Sequence, residues 1–150
     1  MARTSTYLNF AGNTEEAFDF YRSVFRTKLN GEIRRMGEAP PVPGRPPLSD
    51  AERNLVMHVE LPILGGHVLM GTDAVASMGH TVRFGSNVSI SLEPDDRREA
   101  ERLFQALAEG GQVTMPLQDM FWGALFGSVT DRFGVQWMVN CPTGAGTASP

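Results

Sequence analysis

Short runs of alternating apolar and polar residues occur in two successive series along the chain, and in each series the first run is followed by a helical apolar stripe. Residues 5–10 (STYLNF) read as a strand. Asn13 then stands as an N-cap, Glu16 completes a capping-box spacing, and Ala17, Phe18, Tyr21, Val24 and Phe25 recur at helical intervals. Residues 28–36 (KLNGEIRRM) suit a polar, exposed strand, and the stretch GEAPPVPGRPPLSD breaks regular structure until Asn54. Two more strands follow, NLVMHVEL at 54–61 and HVLMGT at 67–72, separated by Pro62 and Gly65-Gly66.

The pattern then restarts. SNVSISL at 86–92 alternates strictly, Pro94-Asp95-Asp96 opens a second helix with the stripe Ala100, Leu103, Phe104 and Leu107, and Gly110-Gly111 stops it. QVTMPL, ALFGSVT and VQWMVN supply three further strands. Written over each other, YLNF matches SISL, the helix stripes coincide, and GGHVLM matches FGVQWM. This internal duplication predicts an α+β fold of two βαβββ repeats, about 5–72 and 86–140, forming a cupped mixed sheet with the helices on its outer face. One domain is expected over residues 1–140, with a disordered tail over 141–150.

Strand alternation separates the two faces of such a sheet. Leu55, Met57, Val59 and Leu61 form an apolar set opposed to His58 and Glu60, with Val56 on the polar side; Val88, Ile90 and Leu92 oppose Asn87, Ser89 and Ser91. The apolar face belongs under the helices. The other face is then the ligand side, carrying Tyr7, Asn9, His58, Glu60, Met70, Thr72, Ser89, Ser91, Phe126, Ser128, Gln136 and Met138. A wall of aromatic, Met and neutral polar groups suits a small, partly apolar organic molecule, although a sheet face of this kind also serves as a dimer interface or as plain surface.

Composition narrows the partners. A net charge of −4 with scattered arginines argues against nucleic acid. The single Cys141 rules out an internal disulfide and a Cys-based zinc cluster, and favours a cytoplasmic setting. No apolar leader and no stretch of membrane-spanning length is present, so a membrane partner is not expected.

The order YLNF, EEAFDFYRSVF, MHVEL, LMGTD, a second strand and helix, and FWGALFGSVTDRFGVQWMVN resembles the PhnB-like branch of the vicinal-oxygen-chelate superfamily, which includes glyoxalases, bleomycin-resistance proteins and dioxygenases. The resemblance spans roughly residues 5–140 and is most specific from Trp122 to Trp137. It implies a homodimer, and in metal-dependent relatives it implies ligands from the first and last strand of each repeat. The matching positions here are Tyr7, Met70, Ser89 and Met138, none a good ligand for a divalent cation. No metal or other cofactor is therefore expected, with a relocated divalent metal as the alternative. Nothing resembles the Gly-rich nucleotide site of the methyltransferases whose name is attached to this branch. Relatives also place a helix-ending Gly where this chain has Arg26.

His58 and Glu60 are the best titratable pair for proton transfer, and equally a histidine satisfied by its neighbour. His67 and His80 fall near turns and read as surface residues. Trp137 should face the helices, Trp122 the rim of the ligand side, and Asp131 the Phe133-Gly134 turn. The loop 37–53 is long enough for a lid or a dimer arm. Two readings stay open. One is a metal-independent small-molecule-binding protein using Tyr7, Asn9, Met70, Ser89, Ser91, Trp122, Phe126, Gln136 and Met138; the other is a lyase, isomerase or dioxygenase-like enzyme using His58 and Glu60 or a relocated metal site.

Overall fold

In the computed structural model, which describes residues 1–143, the alternating runs and helical stripes become two compact units, one of residues 1–83 and one beginning at Phe84. The first unit contains β1 (Thr6–Phe10), α1 (Thr14–Phe25), β2 (Arg34–Arg35), a short helix α2 (Asp50–Arg53), β3 (Val56–Pro62) and β4 (Val68–Asp73). The second contains β5 (Ile90–Leu92), α3 (Arg97–Ala108), β6 (Gln112–Asp119), β7 (Ala124–Thr130) and β8 (Gln136–Pro142). Each is a βαβββ unit with its own four-stranded mixed sheet, in the order β1-β4-β3-β2 and β5-β8-β7-β6. First and last strands pair in parallel, and the other pairs are antiparallel. Among the described residues no helix is long and apolar enough to cross a membrane.

The apolar stripes explain the layering. Ala17, Phe18, Tyr21 and Val24 of α1 are buried against β3 and β4, where Phe18 lies so close to Gly71 that a Cβ there would stand 2.4 Å from its ring. Ala100, Leu103, Phe104 and Leu107 of α3 are likewise buried against its own sheet, with Phe104 over Gly127. Trp137 is fully buried on the helix side, as expected.

Several local expectations need correction. The Asn13 side chain makes no cap bond; the buried carboxylate of Asp73 caps α1 instead, accepting from Gly12 N (3.1 Å), Thr14 N (3.0 Å) and Thr14 Oγ1 (2.6 Å). Parallel pairing of Phe10 with Asp73 brings the carboxylate to the exit of β1, where it serves N–H groups that the first helical turn leaves without acceptors. Asp73 also accepts from Val56 N at 2.8 Å; Val56, placed on the ligand side by alternation, is buried, and β2 meets β3 there with a register shift. The strand expected over 28–36 shrinks to Arg34–Arg35 after Gly31, whose φ of +77° is incompatible with a strand. The strand expected over 86–92 shrinks to Ile90–Leu92, leaving Val88 exposed and Ser89 outside it. After a 3-10 turn at Met36–Glu38 the Pro-rich stretch is irregular up to a capping box that starts α2, in which Ser49 and Glu52 satisfy each other's N–H groups. Cys141 and Pro142, expected in a tail over 141–150, continue β8 instead; residues 144–150 of that expected tail lie outside the described residues.

Candidate functional site

Each unit has a sheet face opposite its helix, and each face is built by register. In the first unit Tyr7 pairs with Met70 across β1 and β4, Met70 with Glu60 across β4 and β3, and Asn9 with Thr72. Paired residues share a face, so Tyr7, Asn9, Glu60, Met70 and Thr72 stand together, with His58 two residues before Glu60. Tyr7 is 48% exposed; His58, Glu60, Met70 and Thr72 are half-buried.

The polar groups on this face form a chain. Tyr7 Oη lies 3.4 Å from His58 Nδ1, with the two rings 5.9 Å apart. His58 Nε2 lies 3.3 Å from Glu60 Oε2, and Arg3 Nη2 donates to Glu60 Oε1 at 3.0 Å. The Arg3 guanidinium first, and His58 second, hold the Glu60 carboxyl below the usual carboxylate range against the opposing effect of burial. Glu60 is thus an ionised acceptor and no proton donor near neutrality. Arg3 escaped the sequence reading because it precedes the first apolar run and belongs to no periodic element.

In the second unit Ser91 pairs with Met138, Met138 with Ser128, and Phe126 with Asn140. Thr114 and Ser128 share a hydroxyl hydrogen bond at 2.7 Å, and Trp122 meets Phe126 edge-on at 6.1 Å between centroids. Gln136 is engaged locally: its amide nitrogen donates to Gly85 O and Val88 O, both at 3.0 Å, which holds the segment before β5. Ser89 lies on that segment, not in the strand with Ser91. Asn140 and Thr114 were missed, although extending the β8 alternation by one step from Met138 reaches Asn140.

His67 and His80 lie before and after β4, outside the strand. His67 Nε2 is 2.8 Å from Thr6 Oγ1, and His80 is exposed. Cys141 is buried, and burial with nearby Asp96 pushes its thiol up, which removes it as a nucleophile.

The ligand set of metal-dependent relatives can be tested on these faces. Tyr7 on the first strand and Met70 on the last are register partners. In the second unit the register pairs Met138 with Ser91, so the residue equivalent to Tyr7 is Ser91 and the Ser89 match is two residues out. Phenol, thioether and hydroxyl donors remain in either alignment. Within either unit no three His, Cys, Asp or Glu side chains of the described residues come together as a ligand set. These residues do not fit a divalent cation.

A family model described as 3-demethylubiquinone-9 3-methyltransferase matches residues 2–140. Protein PA1353 of Pseudomonas aeruginosa is 40% identical, with a TM-score of 0.80 over 95% of this chain and 98% of that one. The PhnB protein of Bacillus cereus, which bears the same methyltransferase description, is 26% identical with a TM-score of 0.71 over 93% of this chain and 99% of that one. A glyoxalase-related enzyme of Fulvimarina pelagi shares the fold at 19% identity, with a TM-score of 0.58 over 99% of both chains.

Proposed function

This chain belongs to the family described as 3-demethylubiquinone-9 3-methyltransferase, the PhnB-like branch of the vicinal-oxygen-chelate superfamily, and from that membership we propose that it captures a small, partly apolar organic molecule without a divalent metal. The observation that carries the proposal is the donor set: the first and last strands of each unit set Tyr7 beside Met70 and Ser91 beside Met138, pairs without a carboxylate or an imidazole, where the resemblance implies the ligands of metal-dependent relatives. Aromatic and thioether groups with a few hydroxyls grip an apolar ligand by dispersion and orient it by one or two hydrogen bonds. Sequestration in the manner of the antibiotic-binding members is the activity this wall suits.

Methyl transfer, which the family description names, finds no support in these residues. A nucleotide-type methyl donor wants an open, Gly-rich turn at a helix N-terminus. Here Asp73 fills the first turn of α1, and Asp96 caps α3 by accepting from Glu99 N at 2.8 Å.

The test is elemental analysis of the purified protein, with thermal-shift titrations against Zn²⁺, Ni²⁺, Mn²⁺ and Fe²⁺ and a library of small aromatic compounds. Saturable stabilisation by aromatic compounds and by no metal is expected. A stoichiometric metal, or a saturable metal shift, overturns the proposal.

The Tyr7–His58–Glu60 chain favours a second reading, proton transfer by His58. The His58→Ala substitution separates the two. Under capture it leaves ligand affinity mostly intact and there is no turnover to lose; under proton transfer it abolishes turnover.

A further inference from the structure

The chain on the first unit's open face has a direction. Glu60 is acceptor-only when ionised, so the imidazole nitrogen facing it, Nε2, carries a hydrogen. In neutral His58 the other nitrogen, Nδ1, is then a bare acceptor pointing at Tyr7 Oη. A Tyr7 that donates to His58 offers only lone pairs outward. When the imidazole takes a second proton, Nδ1 becomes a donor, the Tyr7 oxygen accepts, and its O–H turns outward.

We propose that Tyr7, His58 and Glu60 form a polarity relay that makes Tyr7 the hydrogen-bond acceptor for a hydroxyl-bearing aromatic ligand while His58 is neutral, and a donor once His58 is protonated. The inference rests on the capture reading and specifies its ligand: a phenol-like molecule, not an ether or a ketone, while His58 is neutral. Tyr7 is the ligand contact and the most exposed of the three relay residues, with Met70 as its register partner to receive the ring. His58 and Glu60 are positioning residues, with Arg3 behind them. The distances of 3.4 and 3.3 Å stand at the long end of hydrogen-bond reach.

The charges around His58 come from every neighbouring element. Glu60 lies on its own strand, and Arg34 is its register partner on β2, itself tied to Glu38 at 3.1 Å. Arg3 reaches the pair through Glu60, while Tyr7 and Asn9 of β1 and Met70 and Thr72 of β4 carry no charge.

Two measurements test the relay. The first needs no ligand: ¹⁵N correlation spectra of the intact protein labelled in its histidine rings should show His58 at pH 8 as the Nε2–H tautomer. The Glu60→Gln substitution should weaken that preference. An Nδ1–H tautomer in the unsubstituted protein overturns the relay, even if the metal titration has already overturned capture.

The second measurement follows the Tyr7 ring signals during titration with phenol, which donates and accepts, and anisole, which only accepts. At pH 8 phenol should bind about fivefold more tightly, the worth of one net hydrogen bond. The preference should shrink under conditions in which the ring spectra show His58 protonated, and the Tyr7→Phe substitution should abolish it in both states. Equal affinities at pH 8 overturn the relay's role in binding while leaving capture standing. No saturable binding by either probe overturns the assignment of a hydroxyl-bearing ligand.

Discussion

The two units share a strand order and a helix stripe, yet each is fastened by a buried carboxylate at a different place. In the first unit Asp73 leaves the end of β4 and gathers the β1–α1 turn and the start of β3, accepting from Gly12, Thr14 and Val56. In the second unit Asp131 sits in the turn between β7 and β8, accepting from Phe133 N (2.9 Å), Val135 N (3.0 Å) and the indole of Trp137 (2.8 Å). There α3 has its own cap, Asp96, so its start needs no help from the sheet. A duplicated unit has therefore kept its topology while relocating the acceptor to wherever the local turn leaves buried N–H groups unmet.

Removing either carboxylate should produce the largest effects. Asp73→Ala strands buried N–H groups at both the α1 entry and the β3 start, and a loss of about 3 kcal/mol is expected from the desolvation of unpaired donors. Hydrogen exchange should quicken over residues 10–16 and 54–58. Asp131→Ala should cost a comparable amount and quicken exchange over 131–137, with a shift in Trp137 emission that Asp73→Ala does not produce. If both substitutions loosened the same segments, the two fasteners would not be independent and the comparison would fail.

Much of this layering could be read from period alone. Ala100, Leu103, Phe104 and Leu107 recur at helical spacing and are all buried, and strict alternation placed Trp137 inward and Met138 outward. Asp131 was expected to hold the Phe133-Gly134 turn and does so. The role of Asp73 was invisible, because it depends on a parallel pairing between β1 and β4, which lie some sixty residues apart. Val56 and Ser89 were misplaced for related reasons: alternation assumes an unbroken strand, and β3 meets its neighbour with a register shift while β5 starts only at Ile90. On the candidate site, Tyr7, His58, Glu60 and Met70 do come together, since period and register suffice to assemble them. Arg3, which holds Glu60 ionised, comes from a segment without periodicity and left no signal.

The helix ends sharpen the comparison with effects of opposite sign. α1 ends on Arg26, held left-handed at φ 55° and ψ 44° with its N–H on Arg22 O, whereas α3 is followed by Gly110 at φ +72°. An L side chain pays roughly 1 kcal/mol to sit there, and Gly does not. Arg26→Gly should therefore raise stability by about 0.5–1 kcal/mol in urea titrations. Gly110→Ala should lower it by a similar amount or more, because the new Cβ also meets Arg132 Cδ at 3.1 Å. A loss of stability in Arg26→Gly would mean that the arginine makes a contact worth more than the backbone strain.

The smallest expected effect lies where each helix's first turn meets the edge strand of its sheet. Glu15 of α1 pairs with Arg35 of β2 through two contacts, at 2.9 and 3.0 Å; in the second unit the signs are reversed, with Arg97 of α3 on Asp119 of β6. The acid in α1 agrees with the helix dipole, and the arginine in α3 opposes it. Both bridges are exposed, so Glu15→Gln should cost no more than about 1 kcal/mol at low salt and lose most of that effect in 0.5 M NaCl. Arg35 holds the Glu15 carboxyl below its ordinary value of 4.5, so the unfolded chain binds the proton first as pH falls. The Glu15 contribution should accordingly be whole above about pH 5 and fade as the pH drops through the lower, folded value. Arg97→Gln should remove a bridge but also relieve the dipole, leaving stability nearly unchanged. Equal losses from the two substitutions would show that pairing outweighs the dipole at both ends, and that the reversed charges in the second unit carry no energetic penalty.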